Sequence, residues 1–296
     1  MVVEMRGVEK RYGDVQALAG VDLAVAAGEV VGFLGPNGAG KTTSIRVMLG
    51  LTRPTAGEAR LFGGDPDRRE ARGRVGVMLQ ESGVPTTLRV RELVALFGRY
   101  YPYALPVAEV LVRAGLVDKA LALVSTLSGG QRQRLYFALA IVGDPDLLFL
   151  DEPTVALDVE GRRAFWQQVV GFAELGKTVL FTTHHLSEAD AVARRLVVID
   201  KGRIIAEGTP SEVKRRVADR TVRFRSDLPA SALAGRSGVQ RVDLEPGGLT
   251  AVYTSEPERL LRDLFAQGAE LRDLTVTDAD LEAAFVALTR REGVDA

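Results

Sequence analysis

The chain has no cysteine, a single tryptophan and two histidines in 296 residues. Without thiols it cannot build a disulfide scaffold, a thiolate zinc site or a cysteine nucleophile, and it suits a reducing compartment. No sign of charge dominates: 38 Lys and Arg meet 39 Asp and Glu, a formal net charge of −1. The bulk positive charge that advertises a nucleic-acid partner is missing, so none is expected. Long hydrophobic runs are missing too. The longest stretch free of charged residues, Ala120 to Gln131, is partly polar and falls short of the about 20 apolar residues that span a bilayer. The first residues, MVVEMRGVEKRYG, mix charged and apolar types with no signal-peptide core. A soluble protein is expected, with any membrane role coming through a partner.

What is present is an ordinary globular composition, 46% hydrophobic and 26% charged, in a chain long enough for one large or two modest domains. Four short, continuously apolar runs stand out: Val30–Leu34, Leu147–Leu150, Thr178–Phe181 and Leu196–Ile199. Such runs suit strands covered on both faces in a parallel sheet. Helical spacing lies between them, as in Leu135, Leu139 and Val142 before Gly143-Asp144-Pro145, so an α/β fold is predicted. Val90, Leu93, Val94 and Phe97 recur at helical intervals with no good strand nearby, which predicts a helical insertion at about 82–145. Texture changes near Asp219. Thr221–Arg225 alternates like a half-exposed strand; Leu260, Leu261, Leu264 and Phe265 read as one helix face, and Leu281, Phe285 and Leu288 as another. The expected division is an α/β domain over 1–218 and a small α+β appendage over 219–296.

The strongest chemical signal is Gly35-Pro36-Asn37-Gly38-Ala39-Gly40-Lys41-Thr42. It fits G-x-x-x-x-G-K-[ST], follows an apolar strand-like run and precedes a plausible helix from Thr43 to Leu49. Glycines let backbone N–H groups curl around an anion, and the helix N-terminus adds its positive end. Lys41 would reach the β- and γ-phosphates, and the Thr42 hydroxyl would ligate Mg²⁺. From this composition the pattern arises by chance in about one chain of this length in a hundred, so a glycine turn with an accidental lysine is a weak rival. The second signal is Leu147–Leu150 followed by Asp151 and Glu152. Carboxylates at the C-terminal end of a parallel strand lie where α/β sheets bind ligands. Asp151 suits Mg²⁺, and Glu152 could polarise a water attacking the γ-phosphate. Alone, the pair reads equally well as a solvated strand end. The third signal, Leu127-Ser128-Gly129-Gly130-Gln131, places a serine cap and two glycines at a helix start; as a bare pattern it is more often a turn than a site.

In this order and spacing, the three motifs over residues 2–215 resemble the ATPase subunit of an ATP-binding cassette (ABC) transporter, within the larger class of phosphate-loop NTPases with a RecA-like parallel sheet. Leu-Ser-Gly-Gly-Gln is the signature that separates this family from the rest of the class. The resemblance implies a nucleotide site formed by Gly35 to Thr43, with Ser128, Gly129, Gly130 and Gln131 supplied to the ATP of a second subunit. It further implies that Tyr12 stacks on adenine and that Gln80 touches Mg²⁺ and the attacking water. Asp158, otherwise a helix cap, would sit in the loop joining two ATP sites. Of the adjacent histidines only one can point into a site from a strand; His184 resembles the family's γ-phosphate contact. One departure is Val155-Ala156, where relatives carry smaller residues.

The stretches Met78–Pro85, Thr182–Ala189 and Thr277–Phe285 resemble the exporter branch that drives separate "ABC-2" membrane subunits, including daunorubicin-resistance ATPases. That resemblance implies a peripheral protein on the cytoplasmic face of the membrane, exporting a drug- or lipid-like molecule with ATP and Mg²⁺. Its partners would be a second ATPase subunit, most simply another copy, and an integral membrane permease; an importer ATPase is the nearest alternative. A mechanochemical ATPase of DNA repair type would place a long coiled coil between phosphate loop and signature. Too few residues separate Lys41 from Ser128 for that. A small-molecule kinase would have no use for the signature, and a purely regulatory nucleotide binder would have none for Glu152.

Overall fold

A computed structural model describes residues 1–79, 83–217, 220–277 and 281–291. The chain divides into two compact units, residues 1–209 and 210–296.

The strands of the first unit are β1 (Val3–Tyr12), β2 (Val15–Val25), β3 (Val30–Leu34), β4 (Ala56–Leu61), β5 (Val75–Met78), β6 (Leu147–Asp151), β7 (Thr178–Thr182), β8 (Arg195–Asp200) and β9 (Arg203–Gly208). Its helices are α1 (Lys41–Met48), α2 (Arg69–Arg72), α3 (Val90–Gly98), α4 (Val107–Arg113), α5 (Gly129–Ile141), α6 (Val159–Glu174) and α7 (Leu186–Val192). The main sheet has the order β5-β6-β7-β3-β8-β9. Pairing is parallel from β5 through β8, and β9 closes the edge as an antiparallel hairpin partner. All four apolar runs fall in this sheet, and every residue of β3 and β7 is buried. Their lack of alternation follows from cover on both faces. Phe33, Phe149, Leu180, Val197 and Ile199 share one core with α1 and the first strands. Elsewhere Trp166 packs at a tilt against Phe181 with ring centres 4.6 Å apart, and Phe165 meets Phe137 edge-on at 5.2 Å.

A second sheet, β2-β1-β4, is antiparallel. Period-2 reading of the sequence does not reach it, because β1 breaks register at three places, between Met5 and Val8, Val8 and Glu9, and Lys10 and Arg11. Each irregularity shifts which face the next side chain meets. The helix expected from Thr43 begins two residues earlier, so Lys41 and Thr42 lie in its first turn. The spacing of Val90, Leu93 and Val94 does make the buried face of α3, whose first turn closes with Glu92 accepting from the Arg89 N–H at 2.9 Å.

The second unit contains α8 (Pro210–Val217), β10 (Arg220–Arg225), α9 (Ala230–Ala234), β11 (Val239–Glu245), β12 (Leu249–Thr254), α10 (Pro257–Ala266), β13 (Arg272–Thr277) and α11 (Leu281–Arg291). Its sheet, β11-β12-β10-β13, is antiparallel throughout. Val222, Phe224, Leu233, Val252, Leu260 and Leu264 form its core. The four-residue face expected on α10 is narrower than its sequence suggests: Leu260 and Leu264 are buried one turn apart, while Phe265 is exposed. No helix among the described residues is long and apolar enough to cross a membrane.

β5 runs close beneath α5. A Cβ on Gly76 would lie 2.0 Å from the Ala140 carbonyl oxygen and 2.9 Å from Pro145 Cγ. Gly76→Ala is therefore expected to destabilise the first unit by about 1–3 kcal/mol. Gly171→Ala, on α6 with no atom within 4 Å of the added methyl, should instead stabilise by up to about 1 kcal/mol. Urea unfolding followed by the fluorescence of Trp166, the sole tryptophan, checks both.

Candidate functional site

Parallel strands β3, β6 and β7 end on the same edge of the sheet, so whatever follows each strand is gathered there. After β3 the chain enters the loop Gly35–Gly40. Gly40 takes φ +110°, and a Cβ on it would come 2.7 Å from the Ala17 carbonyl oxygen. Only glycine combines that conformation with so close an approach. The loop then winds directly into α1, with Ser44 N–H donating to the Gly40 carbonyl at 2.8 Å. Lys41 folds back across the loop: its Nζ donates to the Gly35 carbonyl at 2.6 Å and to Pro36 at 3.1 Å. Burial lowers the Lys41 pKa, and the carboxylates of Glu152 and Asp151 oppose that shift. The result is a cation beside the start of a helix, a place where an anion is stabilised twice.

β6 ends at Asp151, directly across from Thr182 of β7. The Thr182 hydroxyl donates to Asp151 Oδ1 at 2.6 Å and accepts the Glu152 N–H at 3.1 Å. Glu152 itself takes a left-handed backbone, φ +50°, which for a residue with a side chain costs about 1–3 kcal/mol and persists where its surroundings hold it. The side chain is only 6% exposed. Its Oε2 accepts the His184 N–H at 3.0 Å, and His184 Nε2 lies 3.2 Å from Oε1. Burial raises the Glu152 pKa; the His184 imidazole, that backbone N–H and Lys41 pull it back, while Asp151 adds to the rise.

Together these residues line one cavity of about 200 Å³, formed by Pro36, Asn37, Gly38, Gly40, Lys41, Thr42 and Thr43, the acids Asp151 and Glu152, His184, and Ala17. Gly35 and Ala39 complete the loop behind it, Ala39 N–H donating to the Pro36 carbonyl at 3.2 Å. His185 is not part of the lining. The donor set fits a magnesium ion. Thr42 and Asp151 both line the cavity with hard oxygens, and no group of three or more His, Cys, Asp or Glu side chains that could hold a metal exists among the described residues. An ion here would complete its shell with water and the phosphates of a ligand, as Mg²⁺ does.

Several candidates stand elsewhere. Tyr12, at the end of β1, is exposed with the Lys10 ammonium 5.1 Å from its ring centre. Ser128 caps α5 in a reciprocal pair, accepting the Gln131 N–H at 3.3 Å while Gln131 Oε1 accepts the Ser128 N–H at 3.1 Å. Gly129 and Gly130 pack against Ala156 and Leu157. Asp158 caps α6, accepting the Gly161 N–H at 2.7 Å. None of these lines the cavity. Gln80 lies outside the described residues. Two contributors escaped sequence reasoning. Ala17 offers only its backbone and position. Thr182 shows its role once β6 and β7 are in register, and its place at the end of an apolar run, level with Asp151, is the one signal available.

The ABC transporter family matches residues 18–155. The Nod factor export ATP-binding protein I of Burkholderia lata is 40% identical, over 99% of this chain and 98% of its own length. The daunorubicin/doxorubicin resistance ATP-binding protein of Streptomyces peucetius is 40% identical, over 97% and 92% respectively. Among solved structures, an ATP-binding cassette dimer in a post-hydrolysis state bound to ADP and Pi is similar at 28% identity and a TM-score of 0.64, over 70% of this chain and 98% of that one.

The raised Glu152 pKa has a consequence for stability. The folded chain holds this proton more tightly than the unfolded chain, so stability falls as pH rises from the ordinary carboxylate range through the raised value. Above it the penalty of the buried charge is fully present. Glu152→Gln removes that penalty. Its thermal midpoint is expected to exceed wild type once the pH lies above the raised value, with the difference vanishing as pH falls below the ordinary carboxylate range, as read from melts across the acid-to-alkaline interval.

Proposed function

The chain belongs to the ABC transporter family as an ATP-binding and ATP-hydrolysing subunit, and from that premise we propose that it powers export through a separate membrane subunit. The relatives named for Nod factor export and daunorubicin resistance support outward transport of a drug- or lipid-like molecule. The absence of any membrane-crossing helix among the described residues is consistent with a peripheral subunit on the cytoplasmic face. The start of α3, Arg89–Leu93, together with Gln80, is the proposed contact for the permease.

The observation that carries the mechanism is an incomplete site. A cavity of about 200 Å³ gathers the phosphate loop, both acids and His184 but not Ser128–Gln131, and it is smaller than the about 300–1,000 Å³ of a small-molecule site. A second copy would supply the missing wall through Ser128, Gly129, Gly130 and Gln131. The N–H groups of Gly38 to Thr43 and the Lys41 ammonium would cradle the β- and γ-phosphates, and Tyr12 would stack on adenine. Thr42 and Asp151 would hold magnesium, with Gln80 as a further ligand; bound there, the ion offsets phosphate charge. Glu152 would orient the attacking water and take up its proton as the bond to the γ-phosphorus forms and the bond to ADP breaks. His184 would keep Glu152 in place and contact the γ-phosphate, and Asp158 would pass the state of one site to the other. Losing the γ-phosphate removes contacts from both halves, so the pair opens.

Phosphate release and light scattering with saturating Mg-ATP test this scheme. Glu152→Gln is expected to lower turnover by about 10²–10⁴-fold and to accumulate an ATP-dependent dimer. Lys41→Ala should weaken nucleotide binding at least about tenfold. A Glu152→Gln chain that stays monomeric with Mg-ATP overturns the two-copy site.

A further inference from the structure

Glu188, on α7, is a carboxylate outside the nucleotide cavity, yet it is 8% exposed. Burying an ionised group is unfavourable unless it is hydrogen-bonded or paired. Here one oxygen makes both hydrogen bonds and the other faces an ion-pair partner. Glu188 Oε2 accepts the Thr154 hydroxyl at 2.9 Å and the Thr183 hydroxyl at 3.0 Å. Thr183 Oγ1 in turn accepts the His185 N–H at 3.0 Å. Oε1 accepts no hydrogen bond among the described residues; the Arg162 guanidinium stands 3.9 Å away. Both threonines are buried, so neither hydroxyl has water as a substitute acceptor.

What the two threonines belong to gives the arrangement its meaning. Thr154 is two residues beyond Glu152, on the segment that runs to Asp158. Its carbonyl accepts the Leu157 N–H at 3.0 Å, so its position sets the turn into that segment. Thr183 immediately precedes His184. The same two segments also meet at Glu152 itself, where the Thr182 hydroxyl accepts the Glu152 N–H and the His184 N–H reaches Glu152 Oε2. The Glu188 contact ties them again, two residues further along the chain at Thr154.

We propose that Glu188 is a positioning residue that latches the Glu152–Asp158 segment to the Thr182–His185 segment through the Thr154 and Thr183 hydroxyls. The latch keeps Glu152 and His184 aligned, and it makes the Asp158 loop follow His184 as one body. This rests on the reading of the chain as an ATPase.

The test compares Glu188→Ala, Glu188→Gln and the pair Thr154→Val with Thr183→Val, each in the full chain, by kcat for phosphate release and by affinity for ADP. Glu188→Ala should lower kcat about 10–100-fold with ADP affinity within about twofold, since the phosphate loop is untouched. Glu188→Gln, whose amide oxygen still accepts both hydroxyls, should stay within about threefold of wild type. The double threonine variant should match the Ala variant, and adding Glu188→Ala to it should cost less than about twofold more. Wild-type kcat in the Ala variant, a Gln variant as slow as Ala, or equal losses of kcat and ADP affinity each overturn the latch. If Glu188→Ala does not fold, wild-type kcat in the double threonine variant does the same. A wild-type chain that releases no phosphate overturns the ATPase reading, and the latch with it.

Discussion

The register between β6 and β7 is the constraint from which the rest of the site follows. Asp151 lies directly opposite Thr182, so one hydroxyl can serve the last residue of β6 and the amide that follows it. Shifting that pairing by a single residue would turn Asp151 to the other face and leave the Glu152 amide without its acceptor. What fixes the register is the apolar content of the strands. Leu148, Phe149 and Leu150 are buried against Val179, Leu180 and Phe181, and a slip would have to repack both faces of the sheet. Hydrophobic burial, which carries no chemical specificity of its own, thus sets the placement of two carboxylates.

Within that frame the cavity collects groups that are unfavourable one by one. Lys41 is partly desolvated, Glu152 is buried in a left-handed conformation, and the two acids repel one another. Each is held by a neighbour: loop carbonyls for the ammonium, Thr182 for Asp151 and for the Glu152 amide, the His184 backbone for the Glu152 carboxylate. Strain of this kind concentrates where preorganised charge is useful. A triphosphate with its cation would relieve part of it, since it brings negative charge to Lys41 and positive charge to Asp151. Binding and alignment are therefore coupled in the same few residues.

How much of this was legible in the sequence depends on how local the information is. Gly35 to Thr42 could be read because the cradle is one uninterrupted segment between a strand and a helix. The parallel sheet could be read because four runs lack alternation, which only cover on both faces explains. The bulged β1 resisted, since its three register breaks scramble the period on which strand reading relies. Thr182 and Glu188 were out of reach for another reason. A threonine at a strand end and a glutamate in a short helix are unremarkable until the fold brings residues some thirty positions away in sequence within 3.1 Å. Local chemistry writes itself into consecutive letters; support for that chemistry is written in tertiary pairings.

The departure at Val155-Ala156 shows how the same distinction bears on the proposed pair of subunits. Ala156 and Leu157 pack under Gly129 and Gly130 of their own chain, so the loop and the signature form one surface before any partner arrives. Val155, by contrast, is 55% exposed and leaves the internal packing unaffected. The larger side chain is therefore accommodated without strain within one chain, and its effect falls on whatever meets that surface. In the proposed two-copy site this would be the other subunit, where a branched apolar side chain would add buried area that a smaller residue would not. Thr154, one residue earlier, is tied to Glu188, so the backbone leading into the valine is anchored on that side, and less conformational freedom would be lost on covering the surface.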